Sequence, residues 1–454
     1  MPRPSRGVGG KRARRLARAC ALVLVVGIAL VIMPPSGRAA GGWGVPVLIG
    51  NGTYIAGSWD LAVAPEGTAI AAWSQWDGAA LSLYGRHFDP RSGWGGAVLL
   101  ERLPGTVDRP SVAMDRAGNG LVVWSQPDGR FWNLYAKRYD ARTGWSGTVV
   151  AETVLGDAME PRVAMNGDGD AIVVWVHWTN TTRIYANRFD RRLGWGLAGP
   201  IPGAEPARAP DVGIDHAGGA ISLWMQWVAG EPSAYASRSA RGTGWNRPVP
   251  IEAGAGGVNF PEIAVHPAGS AIAIWTQVAG GTFNVFANRY TVRDGWGREV
   301  VLAPNFARIL EDRTAPHLAM DPRSGDAFAV WAYWNGARDR IYGARYDHRG
   351  GWGRPVPVDD GRGESLHPDV AADAAGNAIA VWFQSDGVSS VSSIVANRYD
   401  ARTGWGVPSL VEPDPEDAQE PVVGLDRAGN AIAVWGRHGS PFEGWDVWGN
   451  RFTA

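Results

Sequence analysis

One unit is written eight times in this chain, and that repetition constrains the fold more than any other property. A Gly-Trp pair recurs with its tryptophan at Trp43, Trp94, Trp145, Trp195, Trp245, Trp296, Trp352 and Trp405, at spacings of 51, 51, 50, 50, 51, 56 and 53 residues. A second series runs between these pairs: Trp73, Trp124, Trp175, Trp224, Trp275, Trp331, Trp382 and Trp435. A third is Arg86, Arg138, Arg188, Arg238, Arg289, Arg345, Arg398 and Arg451, each before Tyr or Phe except where His87 and Ser239 follow. Three series in step cannot arise from a non-repeating fold.

Each unit is too finely punctuated for helices. In the second copy a β-rich run from Pro110 reaches Asp115-Arg-Ala-Gly118, where glycine supplies a positive φ and Asp can hydrogen-bond the local backbone. A strand ending in Val-Val-Trp124 follows, then one from Asn133 to Asp140, then a turn closed by Gly144 before Trp145. Runs of five to eight residues at this spacing predict a four-stranded antiparallel meander. Such a sheet has two apolar faces and needs neighbours on both. Units of this length, repeated eight times, predict an all-β, eight-bladed β-propeller. The two tryptophan series are then packing between blades, and the arginines are expected to pair with following acids such as Asp140, Asp190, Asp347 and Asp400.

The ends of the repeat complement each other. The last copy stops at its third strand, Asn450-Arg451-Phe452, while residues 42–49 read as an isolated fourth strand. Together they make one blade, so the N-terminal strand is expected to close the ring and leave no open edge.

The hairpin Pro-x-Val-Ala-Met-Asp-x-x-Gly-Asn resembles the repeats of secreted bacterial β-propellers, including the NHL type. The Asp-x-x-Gly turn followed by Trp is similar to the Asp-box hairpins of sialidase-like propellers. The resemblance implies architecture. The Ala-Asn-Arg-Tyr-Asp and Gly-Trp-Gly segments depart from both patterns, so no functional residue is carried over from it.

Ahead of the repeat, residues 1–39 read as a signal peptide. Eight basic residues and no acidic one lie within residues 1–40, and an apolar run from Ala19 to Met33 is followed by Pro34, Pro35 and small residues. Cleavage is expected before Ala40, giving a mature propeller over residues 40–454. Fifteen apolar residues are short against the roughly 20 needed to span a bilayer, and a membrane partner arises only if the leader stays uncleaved. The location expected is secreted or cell-surface. With the eight leader charges set aside, the 43 basic and 44 acidic residues leave a balance of −9. That argues against nucleic acid, which calls for a basic footprint. The lone cysteine, Cys20, lies in the leader, so the propeller contains no disulfide.

Residues identical in every copy serve the copy, so function is sought where the copies differ. The eight histidines show no metal-ligand spacing, and neither a phosphate-binding glycine loop nor a nucleophile elbow is present. No catalytic residue, cofactor or metal is assigned. Two acidic stretches are weighed as Ca²⁺ ligands: residues 412–420, read as a solvated loop, and residues 166–170, read as the ordinary hairpin turn. The most informative departures are four extra tryptophans, Trp76, Trp178, Trp227 and Trp334, each three residues beyond the second-strand Trp in blades one, three, four and six. Their loops carry Asp77, Asn180, Glu231 and Asn335, with Asp128 and Asp386 in others. Aromatic rings beside short polar groups grip sugars, and the plain alternative is that these rings close the blade edge. The reading is a monomeric, non-catalytic binding propeller for a glycan or another surface polymer, with the four tryptophans as its ligand-binding residues. The alternatives are a structural or protein-interaction platform at the cell surface and a glycan-cleaving enzyme of sialidase-like type.

Overall fold

The computed structural model describes residues 41–50, 56–254, 256–304, 314–385, 387, 391–414, 416–438 and 444–454. The expected leader lies outside them. The described residues form eight small antiparallel sheets, with no α-helix. Each blade runs outward in chain order. Blade 2, for example, has strands Asp108–Met114, Gly120–Pro127 and Trp132–Asp140, then an outer strand split into Gly144–Trp145 and Val149–Val150. The first strands of successive blades touch all the way round, including that of blade 1, Ala56–Val63, against that of blade 8, Ala418–Leu425. The chain is an eight-bladed β-propeller.

The hairpin turns form for the reason the sequence gives. Asp115 Oδ1 accepts from the backbone N–H groups of Ala117 and Asn119, and Gly118 sits at φ 80°. The second strand is the core of each blade: all eight tryptophans of that series are fully buried. Each fills the space between its own blade and the one before. Trp124 packs with Ile70 and Ala72 of blade 1, and Trp175 with Leu121 and Val123 of blade 2. A buried indole must also place its N–H. In five blades it donates to a glutamine two residues on, as in Trp73–Gln75 at 2.8 Å and Trp275–Gln277 at 3.0 Å. In the other three that position is His177, Tyr333 or Arg437, and the N–H groups of Trp175, Trp331 and Trp435 have no partner.

The Gly-Trp series does a different job. These rings are half-buried on the outer strand and meet the third-strand aromatic edge-on, as in Trp145–Tyr139 at 5.2 Å and Trp405–Tyr399 at 5.5 Å. Blade 4 has Ser239 there instead, and its Gly-Trp segment makes only an isolated bridge from Trp245 to Ser239. The arginine series departs from expectation, first in its membership. In blade 1 it is His87, and not Arg86, that pairs with the residue three before the buried tryptophan, as the arginine does in the other seven blades, so Arg86 lies one residue out of step on the opposite side of its strand. Arg138 does meet Asp140, at 3.4 Å, and Arg345 lies 3.8 Å from Asp347. Arg188 instead donates to Gly218 O and Ser239, because Asp190 is taken by Arg241. The aspartates chiefly cap their own turns, Asp140 accepting from Arg142 and Thr143 N–H.

The two ends close one blade as expected. Gly42 and Trp43 pair with Thr453 and Phe452, and Val47 and Leu48 pair with Gly449 and Trp448. Ile49 is fully buried, packed with Trp73 of blade 1 and with Val434 and Val447 of blade 8.

Two outcomes test this packing. Trp224→Ala should cost about 3–5 kcal/mol, the range for large-to-small aromatic core changes, read from denaturant midpoints. A loss below about 1 kcal/mol would contradict burial between blades. A chain beginning at residue 51 should melt at a lower temperature than one beginning at residue 41 and should aggregate, because it loses Ile49 and bares the edge of the third strand Trp445–Thr453. Equal melting and solubility would contradict the closure.

Candidate functional site

Two sets of loops define the faces of the ring. The hairpin turns between first and second strands, and those between third and fourth, lie on one face. The loops after the second strands, with the connections between blades, lie on the other. The four extra tryptophans are all on this second face. Trp76, Trp178 and Trp334 end their second strands, and Trp227 is the penultimate residue of its own. The structure divides them. Trp76 and Trp178 are 38% and 50% exposed, while Trp227 and Trp334 are half-buried. Beside Trp227, Gln226 lines an open crevice of about 490 Å³ with Tyr235, Arg247 and Pro248.

The polar residues of these loops are less available than the sequence suggests. Asp77 accepts from the N–H groups of Ala79 and Ala80 and from Ser82 Oγ, and those bonds hold its pKa below the usual carboxylate range. Asp128 does the same with the N–H groups of Arg130 and Phe131, and the Asn335 amide oxygen accepts from those of Ala337 and Arg338. They are turn-makers first. Asp386 lies outside the described residues.

A second constellation was missed from the sequence. It occupies one position on the first strand of every blade, opposite the residue before the buried tryptophan: Asp60, Ser111, Arg162, Asp211, Glu262, His317, Asp369 and Val422. The available signal was the variable residue in Pro-x-Val-Ala, which differs between copies where its neighbours do not. In seven blades a register shift comes just before it. In six of these the residue two before it is non-glycine in the left-handed region: Arg109, Glu160, Ala209, Phe260, His367 and Glu420, at φ 45–53°. Such bulges re-aim the following side chain. Two residues further on, every copy has Ala or Gly, because neighbouring first strands press together. A Cβ on Gly213 would lie 2.3 Å from Val265, and one on Gly424 2.3 Å from Val63.

These side chains converge on the axis of the ring. Several clasp the next blade: Asp60 accepts from Val112 N–H at 2.7 Å, Asp211 from Ile263 at 2.8 Å, Glu262 from Leu318 at 2.9 Å and Asp369 from Val423 at 2.7 Å. His317 Nδ1 lies 3.3 Å from Glu262 and 3.8 Å from Asp369. Protein surrounds the four carboxyls, so burial raises their pKa values, Asp60 to about 6 and Glu262 to about 7. The Glu262 and Asp369 side chains still keep 28% and 22% of their surface open. The cluster lies four residues along the strand from the tryptophan rim, roughly 13 Å at about 3.3 Å per residue.

The acidic stretches weighed as cation ligands are already paired. Glu412, Asp414 and Glu416 surround Arg437, at 3.4, 2.9 and 2.6 Å. Asp168 takes Arg116 at 2.6 Å, and Asp170 takes Arg241 at 2.8 Å. Asp326, Asp347 and His348 bring three ligand atoms together, but Arg345 lies 2.5 Å from Asp326 and so occupies the charge a cation would need.

Comparison with known proteins places the fold and no more. No protein-family model matches the chain, and no curated protein matches it. Among solved structures it is similar to the BP39L lectin from Burkholderia pseudomallei, at 13% identity and TM-score 0.52, covering 79% of this chain and all of that one. It is also similar to a protein of unknown function from Dyadobacter fermentans, at 10% identity and TM-score 0.43, over 91% of this chain and 98% of that one. A sialidase from Streptococcus pneumoniae matches at 9% identity and TM-score 0.41, over 89% and 70%. The likeness to the Burkholderia protein is one of fold.

The axial carboxyls give a pH prediction. A carboxyl whose pKa is raised on folding binds more protons folded than unfolded, so stability falls as pH climbs from the unfolded value through the folded one. Between pH 4.5 and 7, Asp60 and Glu262 should each lower stability by about 1 kcal/mol once their contact with water is allowed for. Glu262→Gln keeps the acceptor for Leu318 and should flatten part of that decline, measured as melting temperature against pH. An identical profile in the variant would contradict the raised Glu262 pKa.

Proposed function

We propose that the chain is a secreted or cell-surface, non-catalytic binding protein for a glycan or another surface polymer, engaged through the face that carries the extra tryptophans. The observation that carries this reading is the exposure of Trp76 and Trp178 at equivalent strand ends, each held by a regular strand. The part of each ring left in water, half of Trp178 and over a third of Trp76, adds nothing to the core. A sugar ring stacked on it recovers that area. The Burkholderia protein that shares the fold is a lectin, so the scaffold is compatible with sugar binding. A polymer reaching two such rings at once gains by effective concentration.

A second reading, a glycan-cleaving enzyme, is favoured by the axial cluster. A carboxyl pushed to about 7 beside an imidazole, as at Glu262 and His317, retains a proton near neutral pH and can donate it. Against it, the axial carboxylates already clasp neighbouring blades. Turnover of polysaccharides by the wild type, lost in Glu262→Gln, would favour the enzyme over the binder.

Retention on immobilised polysaccharides, with melting temperature alongside, tests the main reading. Trp76→Ala and Trp178→Ala should each weaken retention by roughly 5–10-fold, the worth of an aromatic contact of about 1–1.5 kcal/mol, with little change in melting. Trp227→Ala and Trp334→Ala should lower melting as well, because their rings are half-buried. No retention of the wild type on any polymer, or melting losses in Trp76→Ala and Trp178→Ala as large as for a core tryptophan, would overturn the reading.

A further inference from the structure

Blade 5 breaks the repeat on the face opposite the tryptophans. Where other copies set a carboxylate against the third-strand arginine, they use one of three positions. In blade 4 it is the first residue of the hairpin turn, with Asp215 lying 3.7 Å from Arg238. In blade 6 it is the residue after the turn glycine, with Asp326 lying 2.5 Å from Arg345. In blade 2 it is two residues beyond the arginine, with Asp140 lying 3.4 Å from Arg138. Blade 5 has His266, Ser270 and Thr291 at these positions. Its arginine, Arg289, therefore has no carboxylate paired with it among the described residues, and its guanidinium lies over the face of Tyr346, 5.6 Å away. It is the one exposed member among the seven arginines that pair with the residue three before the buried tryptophan, the other six being half-buried; blade 1 has His87 there.

The missing acids leave space. A cavity of about 130 Å³ lies between blades 5 and 6, and its walls include Arg289, His266, Ser270, Ser324, Tyr346 and His348. His266 is oriented by its own turn. Its Nδ1 accepts from Ala268 N–H at 3.1 Å, so its Nε2 carries the hydrogen in the neutral ring. That Nε2 is buried and has no hydrogen-bond partner. A guanidinium without a counter-charge and a buried N–H without an acceptor thus line one small space. The carboxylates of the blade 6 hairpin are spent: Asp326 on Arg345 and His348, and Asp321 on Ser324 and the turn N–H groups.

We infer that this cavity binds a small oxyanion group, a carboxylate, sulfate or phosphate. The group stands in for the aspartate the repeat has lost, bridging Arg289 and His266 Nε2. Arginine matches such groups with paired donors. The volume is below the roughly 300–1,000 Å³ of pockets for drug-sized ligands, so the site takes the charged group rather than a whole sugar ring. The group can be a free inorganic ion or the acidic substituent of a saccharide. The site lies on the face away from Trp76 and Trp178 and does not depend on their function.

The test uses the full chain at fixed ionic strength, with chloride as the reference salt. Sulfate, phosphate and glucuronate are titrated separately by calorimetry, with melting temperature as a second readout. Saturable binding of at least one of them is expected. Sulfate or phosphate binding points to a free ion, and glucuronate alone to a saccharide acid. Arg289→Gln should weaken that binding at least tenfold. His266→Asp, which restores the repeat's own carboxylate, should abolish it while holding or raising the melting temperature. Arg398→Gln, at the matching position of blade 7, should leave binding intact. A response no different from chloride, or binding unchanged in Arg289→Gln, would overturn the site. Arg289 is exposed, so that variant should fold even if His266→Asp does not.

Discussion

Everything in this molecule hangs on one tryptophan per blade. Eight indoles sit between sheets with no contact with water, each against the second strand of the blade before. A blade alone would leave that ring and a facing apolar surface exposed. The sheets are therefore stable only as neighbours, and the last must meet the first. This is why the N-terminal segment crosses to the C-terminal blade and why Ile49 is as buried as any core residue. With no cysteine in residues 40–454 to staple it, the ring is held by this packing and by hydrogen bonds of the Trp73–Gln75 kind. Blades 3, 6 and 8 forgo that bond. A buried donor left unmade costs about 1–3 kcal/mol, so these blades lean more on their apolar packing and on clasps such as Glu262–Leu318 and Asp369–Val423.

A closed ring of near-identical units separates stability from function. Positions that pack between blades have little freedom, and the copies agree there. Positions on the axis or on the loops answer to the whole ring and are free to differ. The axial set runs Asp, Ser, Arg, Asp, Glu, His, Asp, Val around the circle, while the ring two residues below is Ala or Gly throughout. The two facts share a cause. Backbones that approach closely exclude side chains at one level, and the bulge just before the variable position turns its side chain to where there is room. Several axial carboxylates also clasp the next blade, which gives them a structural role in the ring.

The repeat also shows what its arginines are for. In most copies the guanidinium finds a carboxylate or a carbonyl and is half-buried. Where Asp215, Asp326 or Asp140 has a neutral counterpart in blade 5, the arginine moves out toward water and a cavity opens beside it. The expected pairing with the acid two residues on was too narrow. It holds for Arg138 and Arg345, but those aspartates chiefly cap turns, and the guanidinium reaches other oxygens across the blade boundary.

Strand number, blade count, the hairpin turns and the closure of the ring were legible in the sequence, because alternation and turn chemistry act over a few residues and are repeated eight times. The four extra tryptophans were legible as positions, though not as exposures. Trp178 and Trp227 read alike, and only the folded ring decides that one stays half exposed and the other is more covered. The axial cluster was not legible at all. Asp60 and Asp369 are separated by six blades in the chain, and they meet only because the ring brings its first strands to a common axis. For the same reason, nothing local in residues 266, 270 and 289 says that they line one cavity. The sequence determined the unit and its count through short-range physics, whereas the tertiary structure alone decided which of the unit's variable side chains face one another, because that depends on closing the circle.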